Sequence, residues 1–226
     1  MPMSAFPDPA KAPKSEPLAF GGDLSVGTLL DAYRHGIFPW FNPGEVIQWW
    51  SPDPRALFVV EDFHVPRRLA RTIRSGVFTC TIDTAFTRVM EGCSEREEGS
   101  WIGPEVIDAY SDLHRAGHAH SVEVWRDGQL AGGVYGVRTG ALFAGESMFA
   151  RVTDASKVAL VTLVRQLQRW GFGHVDCQVP TPLFARFGAR SLKRRQFLGL
   201  LAVALQSPTR QGPWRLDDDL GRGADA

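Results

Sequence analysis

The 226-residue chain has little cysteine, no charge imbalance and no long apolar run. Cys80, Cys93 and Cys177 are too few and too widely spaced for a disulfide framework or a zinc site. They read as reduced, mostly buried thiols of a cytoplasmic protein. Lys plus Arg equals Asp plus Glu at 25 each. That balance excludes a global basic field, so any nucleic-acid contact must come from local clusters and stacking. The longest apolar stretch, residues 197–205, has nine residues against the roughly 20 that span a bilayer, so no membrane partner is expected. Residues 1–20 lack an apolar signal core and carry Pro2, Pro7, Pro9, Pro13 and Pro17, the make-up of a flexible arm. There is no Gly-x-Ser-x-Gly elbow, no Walker lysine loop and no His-Glu-x-x-His. His114, His118 and His120 have no acidic or Cys partner at ligand spacing, so no metal is expected there.

What is present is apolar and aromatic. Hydrophobic residues make up 44% of the chain and seven are Trp, which requires a folded core. Over residues 21–62 the pattern is a small aromatic-rich α/β domain. Ser25 caps a helix reaching about residue 35, and Gly36 stands where a left-handed C-terminal residue is expected. Ile37-Phe-Pro-Trp-Phe41 and Trp49-Trp50 follow, in loops too broken by Pro and Gly for regular elements. Such a concentration of rings is either a packed loop core or a stacking platform for a base.

Residues 63–208 form the larger unit. A helix over 66–74 carries Arg67, Arg68, Arg71 and Arg74, as a solvated face or as a grip on phosphates. A strand over 78–82 leads to a helix capped by Asp83, and Pro104 opens another helix ending near Gly117. Strands follow over 120–126, 129–138 and 141–149, the first two joined by the Asp127-Gly128 turn. Gly132-Gly133 signals a bulge or a close backbone approach. Asp154 caps a long helix over 155–170, a strand runs over 174–178, a short helix starts at Thr181 and ends at Gly188, and a final helix over 193–205 precedes a flexible tail over 209–226. The order from residue 119 is therefore β-β-β-α-β-α, the arrangement of GNAT-type acyltransferases, in an α+β fold whose sheet splays beside its fourth strand.

Chemistry concentrates at two strand ends. Strict alternation places Phe143, Gly145, Ser147 and Phe149 on one face, with Glu146 and Met148 on the other. A lone acid among Phe, Met and Gly is costly to bury without a cationic partner. Glu146 therefore either meets water at a sheet edge or awaits a positively charged ligand group. Asp176 and Gln178 stand at i and i+2, and so share a face on which the Asp orients the Gln amide. That pair is either a structural contact or a means of receiving a proton from an amine. Coenzyme A chemistry is disfavoured, because residues 150–157 lack the glycines that would cradle a pyrophosphate.

Several segments carry a family resemblance: Gly21-Gly-Asp-Leu-Ser25, Ala32-Tyr-Arg-His-Gly-Ile-Phe-Pro-Trp-Phe41, Trp49-Trp-Ser-Pro-Asp-Pro-Arg55 and Glu97-Glu-Gly-Ser-Trp-Ile102. Further on come Gly117-His-Ala-His-Ser-Val-Glu-Val-Trp125, Gly145-Glu-Ser-Met-Phe149, Ala155-Ser-Lys157 and Asp176-Cys-Gln178. Together they resemble the leucyl/phenylalanyl-tRNA–protein transferase family from about Gly21 to Phe197. The resemblance implies transfer of Leu or Phe, and less efficiently Met, from aminoacyl-tRNA to an N-terminal Arg or Lys, marking the acceptor for degradation. It implies no cofactor and a cytoplasmic location, and the chain is expected to be a monomer. By the same resemblance Asp176 and Gln178 are catalytic and Glu146 pairs with the donor amino group. Val134, Phe143, Met148, Leu163 and Leu167 would line the aminoacyl pocket. Tyr33, Trp40, Trp101 and Tyr110 would surround the terminal adenosine of the tRNA.

The chain departs from the family pattern at a shortened start before Gly21, at Val134 in place of Met, at Leu163 and Leu167 in place of aromatics, and at Asp154 in place of Asn. A coenzyme A acyltransferase and a non-catalytic RNA binder are the rival readings. Two basic clusters, the 67–74 helix and Lys193-Arg194-Arg195, compete for the tRNA stem.

Overall fold

Ser25 begins the first helix as expected, its hydroxyl accepting the Thr28 N–H and its own N–H donating to Asp23. In the computed structural model, residues 4–95, 99–207, 210 and 212–221 are described; Glu97 and Glu98 of the quoted Glu97–Ile102 segment lie outside them. The elements run β1 (Ala19–Phe20), α1 (Val26–Arg34), β2 (Phe38–Pro39), β3 (Gln48–Trp50), β4 (Arg55–Val59), α2 (Arg67–Arg74), β5 (Thr79–Ile82), α3 (Phe86–Ser94) and α4 (Pro104–Arg115). They continue as β6 (Ala119–Arg126), β7 (Gln129–Thr139), β8 (Leu142–Ala150), α5 (Ala155–Arg169), β9 (His174–Gln178), α6 (Pro182–Ala185), β10 (Arg190–Leu192), α7 (Arg194–Ala204) and α8 (Asp218–Gly221).

Strands β1, β3 and β2 make a small sheet, and the other seven make one large sheet in the order β10-β4-β9-β8-β7-β6-β5. Among the described residues only β8 and β9 pair in parallel, with α5 as the crossover between them. The predicted β-β-β-α-β-α order is therefore present. Strand β4, from the region read as a separate N-terminal domain, sits inside the large sheet between β10 and β9.

The sheet opens between β8 and β9, and two bulges explain why. Parallel pairing stops at Ala144 opposite Asp176. One residue on, Gly136 pairs with Gly145 while Tyr135 pairs with Ser147, so Glu146 is an extra residue in β8. Across the gap Ala56 pairs with Gln178 and Leu57 with Asp176, which makes Cys177 an extra residue in β9. Gly136 permits the first bulge, because a Cβ there would lie 2.1 Å from the Ala144 carbonyl oxygen.

The bulge overturns the strict alternation expected for β8. Phe143 and Met148 both face the core under α5, while Ala144 and Phe149 face the core built on α1, α3 and α4. One extra residue has reversed the parity between Ala144 and Met148. The Asp176–Gln178 expectation fails for the same reason, since Cys177 is bulged and Gln178 adopts φ +62°.

Four further expectations are corrected. Asp83 does not cap α3; it sits at φ +57° and accepts N–H groups from Ser121 and Trp214 and the His120 ring. Asp154 makes no cap bond to α5 and instead pairs with Lys157. The arm is held down: Phe6 packs edge-on against Trp49, and the Arg194 guanidinium donates to the carbonyls of Ala12 and Pro13. Residues 212–221 of the tail are likewise anchored, with Trp214 buried and Arg169 paired to Asp217 and Asp219, while residues 209, 211 and 222–226 lie outside the described residues. Among the described residues no helix is long and apolar enough to cross a membrane.

Candidate active site

Glu146 lies at the opening between β8 and β9. Its Oε1 accepts the Gln178 side-chain N–H at 2.7 Å, and its Oε2 is buried with no regular hydrogen-bond partner among the described residues. Burial, aided by the Asp176 charge and opposed by the Tyr33 hydroxyl, Arg55 and Gln178, leaves this carboxyl raised to about 8. At neutral pH the free site therefore holds Glu146 mostly protonated. Because Gln178 turns its amide nitrogen toward Glu146, its amide oxygen is directed elsewhere and accepts no hydrogen bond among the described residues.

Asp176 is 1% exposed and is fully engaged. Arg55 grips it with two hydrogen bonds, Nε to Oδ1 at 2.9 Å and Nη2 to Oδ2 at 2.6 Å. Oδ1 also accepts the backbone N–H of Gln178 at 2.8 Å. Asp176 thus fixes the Gln178 backbone, and Glu146, not Asp176, orients the amide. Arg55 stands 121 residues earlier in the chain. The only local signal of it was its place in the Trp49–Arg55 segment.

A cavity of about 420 Å³ opens from this point, with Val134, Met148, Leu160 and Leu163 on its apolar side and Glu146, Asp176 and Gln178 at its polar end. Phe58, Leu183 and Phe184 complete its wall, none of them anticipated. Phe143 and Leu167 do not line it; both are fully buried in the core beneath. A second lobe of about 400 Å³ shares Glu146, Gln178 and Trp101 and is bounded by Phe38, Pro39, Trp40 and Val179. Trp40 is half-exposed there, and Trp101 stands between the lobes. Tyr33 and Tyr110 are buried in the core, so their rings are closed to a base and their hydroxyls meet Glu146 from beneath.

Two other clusters contain reactive groups. His114 and His120 converge on Asp83, an acidic partner that sequence spacing did not reveal. Much of the hydrogen-bonding capacity of the cluster is used, since Asp83 accepts three N–H groups and His114 Nδ1 faces the Ala119 carbonyl, while His120 Nε2 is buried with no hydrogen-bond partner among the described residues. Trp214 stacks flat on His120 at 3.6 Å. The cluster reads as a clasp for the C-terminal segment. Of the two basic clusters, Lys193–Arg195 is compromised, because Arg194 is buried and spent on the carbonyls of the arm and Ser51. The four arginines of α2 are exposed.

Comparison with known proteins identifies the family. The description "Leucyl/phenylalanyl-tRNA protein transferase" matches residues 57–202, and that of the same family's N-terminal domain matches residues 22–53. A leucyl/phenylalanyl-tRNA–protein transferase from Thiobacillus denitrificans is 55% identical over 88% of this chain and 89% of its own. One from Alkalilimnicola ehrlichii is 52% identical over 97% and 87%. The solved structure of L-PGS from Bacillus licheniformis aligns with 67% of this chain and 50% of its own at 9% identity and a TM-score of 0.41, too distant to add to the strand order. With family descriptions covering both the aromatic N-terminal region and the sheet that holds Glu146 and Gln178, the chain belongs to the leucyl/phenylalanyl-tRNA–protein transferase family.

Proposed function

We propose that this chain moves Leu or Phe, and less efficiently Met, from aminoacyl-tRNA to the N-terminal Arg or Lys of acceptor proteins, marking them for degradation. It acts as a monomer in the cytoplasm. The observation that carries the reading is the Glu146–Gln178 contact at the junction of an apolar lobe and a tryptophan-walled lobe.

The apolar lobe takes the donor side chain and the tryptophan lobe takes the terminal adenosine, whose ring stacks on Trp40 or Trp101. Glu146 then meets the donor α-amino group. The buried Oε2, which no regular hydrogen bond reaches among the described residues, gains a close partner when the amine arrives, and the pair shares a single proton. The acceptor amine approaches the ester carbonyl with its N–H toward the Gln178 amide oxygen. The C–N bond forms, the bond from the carbonyl carbon to the ribose oxygen breaks, and the amine proton passes to the departing ribose hydroxyl. An aminoacyl ester is already activated, so orienting the amine supplies much of the rate.

The test supplies charged leucyl-tRNA and peptides beginning with Arg or Lys and looks for Leu at the new N-terminus. No transfer of Leu, Phe or Met to any basic N-terminus would sink the proposal. Gln178→Ala should lower turnover and leave tRNA affinity unchanged; unchanged turnover would favour an RNA-binding role.

A further inference from the structure

We infer that Arg55 is a positioning residue of the transfer reaction, holding Asp176 in place so that Gln178 and Glu146 meet at the opening of the sheet. The inference rests on the transferase reading above and extends it to a residue outside both lobes.

The geometry forms a continuous line of contacts. Arg55 and Asp176 have side-chain exposures of 1% and 2%, so their paired hydrogen bonds are shut off from water. Phe38 and Phe197 cover the guanidinium, their ring centres 4.8 and 4.5 Å from its carbon. Its remaining Nη1 donates to the Gly36 carbonyl at 3.2 Å, the residue before the segment that carries Trp40. On the other side Asp176 Oδ1 holds the Gln178 N–H, and Gln178 keeps φ +62°, a conformation a non-glycine residue adopts only when held. From that backbone the amide reaches Glu146. Arg55 therefore links the tryptophan lobe, the strained β9 bulge and the carboxyl that meets the donor.

Electrostatics point the same way. The groups facing Glu146 are Tyr33 from α1, Tyr110 from α4, Arg55 from β4, and Asp176 and Gln178 from β9. Asp176 raises the carboxyl and Arg55 lowers it. Removing one while keeping the other should move Glu146 in opposite directions.

The experiment uses the full chain with Arg55→Met, Arg55→Lys, Asp176→Asn and the Arg55→Met/Asp176→Asn pair. Leucine transfer to an Arg-peptide is followed from about pH 6 to about pH 10, since the profile of kcat/KM reports groups of the free enzyme. The Glu146 carboxyl is titrated in parallel by carbon NMR. The midpoint should rise in Arg55→Met, fall in Asp176→Asn and return near the wild type in the pair. Arg55→Lys keeps the charge but loses the fork, so kcat should fall about tenfold or more with KM for leucyl-tRNA within about threefold and the midpoint little moved. A residue needed only for folding would reduce soluble protein without separating kcat from KM. If Arg55→Met fails to fold, the Arg55→Lys and Asp176→Asn measurements decide. Midpoints that stay put, or that move in the same direction, overturn the inference. A wild type that transfers nothing rejects the activity, while the NMR titration still tests the Arg55–Asp176–Glu146 coupling.

Discussion

Tyr33 and Tyr110 share a hydroxyl-to-hydroxyl hydrogen bond of 2.5 Å within contact of the Glu146 carboxyl. Burial and the neighbouring carboxyl push both phenols well above their ordinary range, so both remain protonated. One hydroxyl hydrogen lies between the two oxygens and the other is left for Glu146. The Tyr33 hydroxyl is the foremost influence opposing the burial of that carboxyl. Tyr33→Phe should therefore raise the midpoint of the kcat/KM pH profile. A hydrogen bond to a charged group contributes about 1.5–3 kcal/mol, which is about 1–2 pH units. Loss of tRNA affinity with no change of midpoint would instead make Tyr33 part of the adenosine site.

The same carboxyl makes folding pH-dependent. Glu146 sits at about 8 in the fold against 4.5 for an ordinary Glu, so between those values the folded chain holds a proton that the unfolded chain has released. Stability contributed by this group is therefore lost as pH rises through that window, by up to about 1.4 kcal/mol per unit, and levels off above it. Urea denaturation of the wild type at about pH 5 and about pH 8 should show the fall, and Glu146→Gln should flatten it. Equal slopes in the two proteins would mean that Glu146 is ionised in the fold.

Trp214 offers a test of the C-terminal segment. It is 3% exposed, stacked on His120 and in edge contact with Trp170. Trp214→Ala should cost about 3–5 kcal/mol, the range for removing a large buried ring. A denaturation midpoint close to the wild type would restore the flexible tail expected from composition.

These corrections show which parts of the molecule were legible in sequence. Strand and helix order from residue 119 was readable because its periodicity is local and its turns carry Gly. Glu146 and Gln178 stood out because a polar group in an apolar strand needs a partner. The partners were not readable. Arg55 meets Asp176 across 121 residues, and the acid that joins the histidines, Asp83, comes from a separate strand end. The bulges at Glu146 and Cys177 depend on strand pairing, which alternation within one strand cannot reveal. The anchoring of residues 212–221 is not legible locally, because Trp214 stacks on His120, which is remote in sequence.

The basic clusters should separate by salt dependence. All four α2 arginines are exposed, whereas Arg194 is buried against backbone carbonyls. Replacing Arg67, Arg68 and Arg71 singly by Ala should each weaken tRNA binding and reduce the slope of log affinity against log salt by about 1 per lost phosphate contact. Arg194→Ala should leave that slope unchanged and lower thermal stability, because it frees the arm. A reduced slope in Arg194→Ala, with α2 variants unaffected, would move the stem contact to α7.

Trp40 and Trp101 divide the two lobes between them. Trp40 is 44% exposed, more than packing requires of so large a ring, and its neighbour Trp50 tilts against it at 5.4 Å while donating to its carbonyl. That support holds a stacking face open at the cost of exposed apolar area. A stacked base contributes about 1–3 kcal/mol, so Trp40→Ala should raise KM for leucyl-tRNA by about 5- to 150-fold with kcat little changed. Trp101 lines both lobes, so Trp101→Ala should also lower kcat by loosening the donor ester against Gln178. Steady-state kinetics with leucyl-tRNA as the varied substrate checks both. An unchanged KM in Trp40→Ala would place the adenosine outside this lobe, and the exposed indole would then need another occupant.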